Sequence, residues 1–140
     1  MSEKPSPGEL DLNRLLANMT PELDEQIWVF LSLKSPDRDL DQKALMRFEE
    51  DEGTTYIIKE EDSTDHDVSF RCQRITLQVH SSLEAVGFLD AISTALTLNG
   101  ISSNVVSAFY HDHLFVPVEK TTQTLSVLKA LSQGDGSTAR

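Results

Sequence analysis

Residues 75–100, ITLQVHSSLEAVGFLDAISTALTLNG, place a strand, a loop and an amphipathic helix in direct succession. Apolar side chains in the second part of this stretch recur every three or four residues, which is the spacing of one helix face. They are Ala85, Phe88, Leu89, Ile92, Ala95 and Leu96. We therefore predict a helix over residues 82–99, begun by a capping pair of Ser81 and Glu84. Gly100 suits the left-handed position that ends it.

The chain on both sides of this helix is typical of β-structure. Phe70–Val79 is predicted as a strand whose core-facing side chains change phase near Gln73-Arg74, as a β-bulge or a break between two strands would cause. From residue 68 onward the predicted order is β-α-β-β-α, which favours helices on one face of a mostly antiparallel sheet. The later elements are a strand over 101–109, a turn over 110–113, a strand over 114–118 and a helix over 121–131, capped by Thr121 or Thr122.

The N-terminal half is predicted to contain one helix and three strands. Leucines at helical spacing predict a helix over about 9–18. A short apolar run, Gln26–Leu33, predicts a buried strand. Two further strands, 44–50 and 54–59, are predicted to form a hairpin in which Gly53 supplies the positive φ of a tight turn.

A polar stretch at 61–68 marks the predicted boundary between the two halves. We expect four segments along the chain. They are a disordered N-terminus at 1–8, an N-terminal αβββ half at 9–67, a C-terminal domain at 68–132 and a disordered tail at 133–140.

The charge balance argues against two classes of partner. The 140 residues include 23 acidic and 12 basic side chains, for a formal charge of −11 at pH 7. A negative surface repels the phosphates of nucleic acids and of anionic membranes, so we predict no nucleic-acid or membrane partner. Residues 49–67 hold nine of the acids and one lysine. This acidic belt is interpreted as a solvated surface, with docking of a basic partner as the alternative.

Other sequence features bear on location and chemistry. Cys72 is the single cysteine, so no internal disulfide or thiolate metal cage can form. The polar N-terminus does not resemble a secretory signal, and no apolar run approaches the ~18 residues that span a bilayer, so we predict a cytoplasmic protein.

No nucleophile elbow, phosphate loop, HExxH or CxxC pattern occurs. We therefore predict neither an enzyme nor a cofactor.

Several stretches resemble the ACT domain, a ferredoxin-like βαββαβ module of amino-acid-metabolic enzymes and sensors. Residues 75–93 and 104–117 are similar to its strand, loop, helix and hairpin, and residues 15–23 and 48–55 to the companion region of small bacterial stand-alone ACT proteins. The resemblance implies an α+β fold, a ferredoxin-like ACT sandwich with helices on one face of an antiparallel sheet, preceded by a second partial ACT-like αβββ half. No β-like segment follows the last helix. The predicted strand at 26–33, or a partner subunit, is expected to fill the place of the missing sixth strand.

The loop before the long helix is the first candidate binding site. Its residues are Ser81, Ser82, Leu83 and Glu84. A helix N-terminus offers free N–H groups and a positive dipole end, which suit a carboxylate. The resemblance implies that this loop contacts a bound amino acid and that Gly87, within the helix, permits close approach. Simple helix capping and helix packing are the alternative interpretations.

The second strand of the domain and the turn after it supply further candidates. The resemblance implies that Asn104 and Ser107 contact the amino and carboxyl groups of an effector, with edge-strand polarity as the alternative. It also marks His111-Asp112-His113 as a signature near the ligand region, which makes Asp112 a candidate ligand residue. The two histidines are the only metal-ligand candidates there, but Asp112 would point away from them in a regular strand, so no metal site is predicted.

Two functions are compatible with these observations. The first is a non-catalytic regulatory protein that binds a small ligand, an amino acid, between ACT-like units of a homodimer or higher oligomer. The alternative is a dimeric interaction module whose acidic belt docks a basic partner and which binds no small ligand. The first is preferred, because the resemblance to ACT domains implies a bound amino acid.

Overall fold

One six-stranded antiparallel sheet organises the described part of the chain. The computed structural model describes residues 4–134. The strand order in the sheet is β2-β3-β1-β4-β6-β5. The strands are β1 (Pro21–Leu33), β2 (Met46–Glu49), β3 (Thr54–Lys59), β4 (Ser69–Leu77), β5 (Asn104–Ser107) and β6 (Asp112–Pro117). The helices are α1 (Leu12–Asn18), α2 (Arg38–Lys43), α3 (Phe88–Leu98) and α4 (Thr121–Ser132).

The two halves of the sheet repeat one pattern around the central pair β1 and β4. Outward from β1 lie β3 and β2, and outward from β4 lie β6 and β5. The end of each central strand pairs with the start of its neighbour, Leu33 with Thr54 and Leu77 with Asp112. Strand β1 therefore lies beside β4 where a sixth ACT strand would lie. This confirms the prediction that the strand containing residues 26–33 fills that place, and β1 extends five residues further toward the N-terminus.

The helices cover one face of the sheet. Sheet side chains such as Ile75 and Leu114 are completely buried against α1, α3 and α4. At the other end of the same face, α2 inserts Leu40 against β1 and β3. The opposite face carries a compact aromatic cluster in which Phe30 makes edge-on contacts with Phe70 and Phe115. The predicted α+β arrangement with one-sided helices is confirmed.

The irregularity predicted near Gln73-Arg74 is present, but its extra residues lie in the partner strand. Arg74 pairs with Asp24 and Gln73 with Ile27, so β1 contains two more residues than β4 at this point. On its other side β4 pairs continuously with β6. The apparent phase change in β4 arises because Cys72 faces the aromatic cluster while later side chains face the helices, and both sides are buried.

Helix α3 begins later than predicted. Residues 78–87 form a loop, and the first helical residue is Phe88. Gly87 adopts φ +90°, a left-handed conformation that is incompatible with a position inside an α-helix. It is therefore the N-cap residue and does not lie one turn into the helix. Ser81 and Glu84 lie in the loop, so the predicted capping pair is wrong.

Other element ends differ in smaller ways. Asp112 and His113 already belong to β6, so the turn predicted over 110–113 is shorter. A 3₁₀ turn precedes α4. The N-cap of α4 is Lys120, so neither Thr121 nor Thr122 is the predicted cap. The hydroxyl of Thr121 instead donates to Gln73 Oε1 at 2.8 Å.

The β2–β3 hairpin confirms the predicted position of Gly53 but changes its explanation. Its φ of +159° is close to extended rather than typical of a tight turn. A Cβ atom at this position would lie 2.6 Å from the carbonyl oxygen of Leu33. Close approach of the neighbouring strand therefore requires the glycine.

No helix among residues 4–134 is long and apolar enough to cross a bilayer. Residues 1–3 and 135–140 lie outside the described part of the chain, so the structure contains nothing on those parts of the predicted terminal segments.

Candidate functional site

The loop between β4 and α3 folds tightly against the start of β6. The Ser81 N–H donates to the Val79 carbonyl at 3.0 Å, and the Ala85 N–H donates to the Ser82 carbonyl at 3.0 Å. Both serines are buried, with 7% and 8% of their surface exposed. The loop therefore presents its serines to the interior of the protein.

Asp112 is the central side chain of this region. It is the first residue of β6, it points to the helix-covered face, and only 5% of its surface is exposed. The Ser81 hydroxyl donates to Asp112 Oδ2 at 2.9 Å. Among the described residues, no ion pair includes Asp112. A buried carboxylate without a counter-ion is unfavourable, so the site is electrostatically suited to receive a cationic group from a ligand.

Helix α3 presents its N-terminus to the same place. Gly87 carries no side chain that could cap the first turn, and the helix has no side-chain cap of any other kind. The first N–H groups of an α-helix have no partners within the helix, and the helix dipole makes this end positive. Asp90 lies in the first turn and also complements the dipole. The exposed end of the helix suits a carboxylate.

A cavity of about 140 Å³ lies between these groups. It combines the buried carboxylate, serine hydroxyls and the start of α3 in one hollow. The lining residues are Ser81, Ser82, Leu83, Ala85, Gly87, Phe88, Leu89, Asp90, Ser107 and Asp112. The two buried serines therefore adjoin a hollow.

Two residues predicted for the site do not line this cavity. Asn104 lies at the far end of β5, where it pairs with Phe115, whereas Ser107 pairs with Asp112. Glu84 faces away, toward a second hollow beside Phe109. In contrast, Asp90 lines the cavity but is not among the residues predicted from the sequence. The signal for it is an acidic residue in the first turn of α3, which becomes visible only when the helix is known to start at residue 88.

The two histidines flanking Asp112 do not belong to the cavity. Their rings are 6.3 Å apart, and His113 Nδ1 lies 2.9 Å from Thr76 Oγ1 on the other face of the sheet. Burial, together with the positive charges of Arg74 and His111, lowers the pKa of His113 below its ordinary value. Within residues 4–134, no group of three or more His, Cys, Asp or Glu side chains is arranged to hold a metal ion.

The equivalent place in the N-terminal half is built differently. There the loop between strand and helix spans only residues 34–37, and Asp37 caps α2 by accepting from the Leu40 N–H at 3.0 Å. The position that corresponds to Asp112 is Thr54, which is uncharged and buried. The features of the candidate site are therefore confined to the C-terminal half.

The topology defines the class of this chain as a tandem of ferredoxin-like units. Two models of the ACT domain match it, over residues 7–73 and 70–130. The chain belongs to the ACT domain family. The matches overlap within β4, the strand that both halves of the sheet use. ACT domains are regulatory rather than catalytic modules, and membership gives this chain a regulatory role of the amino-acid-sensing kind in general terms.

Solved structures of bacterial proteins resemble the chain over most of its length. A Vibrio cholerae protein, described as of unknown function and a possible transport protein, is 38% identical, with a TM-score of 0.79 over 87% of this chain and 96% of that chain. An Agrobacterium tumefaciens protein is 18% identical, with a TM-score of 0.66 over 81% and 89% of the two chains. The ligand-free regulatory subunit of Thermus thermophilus aspartate kinase is 9% identical, with a TM-score of 0.64 over 83% and 97%. The last two share the fold. A search of curated proteins found no match.

Proposed function

We propose that this protein is a non-catalytic regulatory sensor that binds an amino acid in the cavity between the 78–87 loop, α3 and β6. The observation that carries the proposal is the Asp112 carboxylate, which is 5% exposed, lines the cavity and has no ion-pair partner among the described residues. A ligand ammonium would neutralise it. This interaction would be favourable because the site excludes most of the water that screens charges at a surface.

The two ends of the cavity fit the two charges of an amino acid. The ammonium would lie at Asp112, and the carboxylate would accept hydrogen bonds from the first N–H groups of α3. Ser82 and Ser107 also line the cavity. Two carboxylates and no basic side chain line the cavity, so an acidic ligand side chain would be repelled. We expect neutral or basic amino acids to bind better than aspartate or glutamate.

Isothermal titration of the full chain against each of the twenty amino acids tests this proposal. At least one neutral or basic amino acid should give saturable heat with one site per chain, because the N-terminal counterpart has Thr54 in place of the carboxylate and a helix capped by Asp37. Silence from all twenty with protein shown to be free of ligand by mass spectrometry would contradict the proposed function. Cytoplasmic location belongs to the same proposal, since free amino acids are metabolised there.

We further propose a homodimer formed along a sheet edge. Strand β5 pairs on one side only, and its residues Asn104, Val105 and Ser107 are exposed. An unpaired strand edge is a template for pairing with another chain. Light scattering coupled to size exclusion should give twice the mass of 15.6 kDa. A monomer mass at concentrations above 0.1 mM (about tenfold above usual assay conditions) would contradict this part of the proposal.

The alternative function, docking of a basic partner, has one observation in its favour. Phe48 is 63% exposed on the edge strand β2 and is followed by Glu49, Glu50 and Glu52. Part of the belt is occupied within the chain, because Arg47 pairs with Glu49 at 2.7 Å. If docking is the function, charge reversal at the three glutamates should abolish capture of a partner and salt should weaken it strongly. Capture that survives the reversal would contradict this alternative.

A further inference from the structure

The N-terminal strap, defined as residues 7–11, is attached to the site loop by main-chain hydrogen bonds. The Glu9 N–H donates to the His80 carbonyl at 2.7 Å, and the Ser82 N–H donates to the Glu9 carbonyl at 2.9 Å. Glu9 thereby forms an isolated parallel bridge with Ser81. Both hydrogen bonds flank the serine whose hydroxyl donates to Asp112, so the strap fixes the backbone from which that hydroxyl projects.

Close packing at Gly8 makes this attachment specific. Gly8 adopts φ +99°, and a Cβ built on it would lie 2.8 Å from His80 O, from the Ser81 carbonyl carbon and from Ser82 N. All three are backbone atoms, which cannot swing aside as the end of a side chain can. Any other residue at position 8 must therefore separate the strap from the loop.

The strap also leads directly to a contact at the other end of the loop. Glu9 Oε2 accepts from the Leu10 N–H at 2.9 Å, and Asp11 then caps α1 by accepting from the Arg14 N–H at 2.9 Å. The next residue, Leu12, places its Cδ2 atom 3.5 Å from the position of a Cβ built on Gly87. Residues 8–12 therefore contact the loop both near its serines and at the N-cap of α3.

The loop forms a wall between the strap and the ligand cavity. Ser82 and Leu83 line the ligand cavity on one side. On the other side they line a hollow of about 520 Å³ that is also bordered by Pro5 and Pro7. Ser82 and Leu83 therefore separate the two hollows.

We propose that the strap is a positioning element whose docking determines ligand affinity. The inference rests on the proposed amino-acid site. Docking of the strap holds Ser81, Ser82 and the start of α3 in the arrangement that accepts the ligand. By linkage, the ligand in turn stabilises the docked strap by the same factor. The strap touches no ligand group and acts only through the loop.

The test compares Gly8→Ala with a matched control, Gly134→Ala. Gly134 has φ +78° at the end of α4, and a Cβ there meets no atom of residues 4–134 within 4 Å, so the control adds backbone strain without a collision among these residues. The probe is the amino acid that the unaltered chain binds most tightly among the twenty. Gly8→Ala should bind it about tenfold more weakly, as expected for loss of two main-chain hydrogen bonds, and Gly134→Ala should bind it unchanged.

Hydrogen exchange provides the readout that separates positioning from general destabilisation. In Gly8→Ala the amides of Glu9 and Ser82 should exchange faster while core amides such as Ile75 keep their protection. In the unaltered chain, adding the probe should slow exchange at Glu9, a measurement that needs no variant. Equal affinity in Gly8→Ala, or unchanged exchange at Glu9 on adding the probe, overturns the inference while leaving the amino-acid site intact. Absence of binding by the unaltered chain instead defeats the proposed function and this inference together.

Discussion

Asp112 combines three properties that are seldom found in one structural residue. It is buried, it is an acidic residue, and its one described side-chain partner is a neutral hydroxyl, Ser81 Oγ at 2.9 Å. Side chains of this kind are costly to stability and are retained where a ligand or a reaction uses them. The residue therefore supports the proposed ligand site over the alternative of a merely well-packed strand end, and it is the natural first target for mutation.

Asp112→Asn should weaken amino-acid binding roughly tenfold to a hundredfold, because a hydrogen bond to a charged group contributes roughly 1.5–3 kcal/mol. The free energy of unfolding should stay the same or rise, since the variant no longer buries an unpaired charge. Titration calorimetry and denaturant unfolding measure the two effects. Asp51→Asn, in the exposed hairpin, removes the same charge far from the cavity and should leave binding unchanged. Equal affinity in both variants would refute the assigned role.

His113 should make the protein less stable as the pH falls below about 6.5. Burial is the main cause that lowers the pKa of His113 in the folded state, and Arg74 and His111 add to it. The unfolded chain therefore binds more protons than the folded chain in the range just below the ordinary pKa. The contribution of His113 to stability is fully present above that range and is lost as the pH falls through it.

Denaturant unfolding at several pH values between 7.5 and 5.5 checks this. His113→Gln should show a flatter dependence of the free energy of unfolding on pH, and His66→Gln should keep the dependence of the unaltered chain. Identical slopes in all three proteins would show that His113 is not responsible.

At the scale of elements, helix α3 shows where periodicity succeeds and where it fails. The stripe of Phe88, Ile92, Ala95 and Leu96 gave the correct helix and the correct buried face. The same pattern includes Ala85, which packs against the core from the loop and so imitates one more helical turn. The left-handed conformation of Gly87 prevents the helix from starting before Phe88. The sequence alone does not reveal which φ a glycine will adopt.

The candidate site was predictable only in part, for a related reason. The loop residues precede a helix whose presence, but not its first residue, is visible in the sequence. The contact of Ser81 with Asp112 joins residues 31 positions apart and depends on the register in which β4 pairs with β6. Periodicity does not fix register between distant strands, so neither this contact nor the exclusion of Asn104 could be read from the sequence.

The hairpin glycine gives a test at this scale. Gly53→Ala should lower the free energy of unfolding by about 1–3 kcal/mol, since its Cβ would lie 2.6 Å from Leu33 O and 2.9 Å from Ser32 Oγ. Gly134→Ala, where a Cβ meets no atom within 4 Å in the described part of the chain, is the control and should cost less. Denaturant unfolding measures both. Equal costs would mean that the close approach of β1 is not what requires the glycine.

At the scale of the molecule, the central strands connect both halves. β1 pairs with β3 of its own half and with β4 of the other, and β4 pairs with β1 and β6. On the face opposite the helices, the hydrophobic cluster of Trp28, Ile57, Cys72 and Phe115 likewise takes side chains from both halves. The predicted boundary near residues 61–68 therefore lies between two segments whose strands pair with each other.

We expect one cooperative unfolding transition as a result. Leu40→Ala and Ile92→Ala remove buried side chains from opposite halves, and each should cost about 2–5 kcal/mol. Either variant should shift the whole transition, and Trp28 fluorescence and far-ultraviolet circular dichroism should give coincident curves. A variant that shifts one signal but not the other would show that the halves unfold separately.

The pairing of β1 with β4 also limits how the gene can change. Each ferredoxin-like unit is completed by a strand of the other unit. Cutting the coding sequence at its midpoint, or exchanging or duplicating one half alone, would therefore leave incomplete sheets. A rearrangement that keeps the sheet whole must therefore carry both halves together. The C-terminal cavity and its differently built N-terminal counterpart belong to one structural unit.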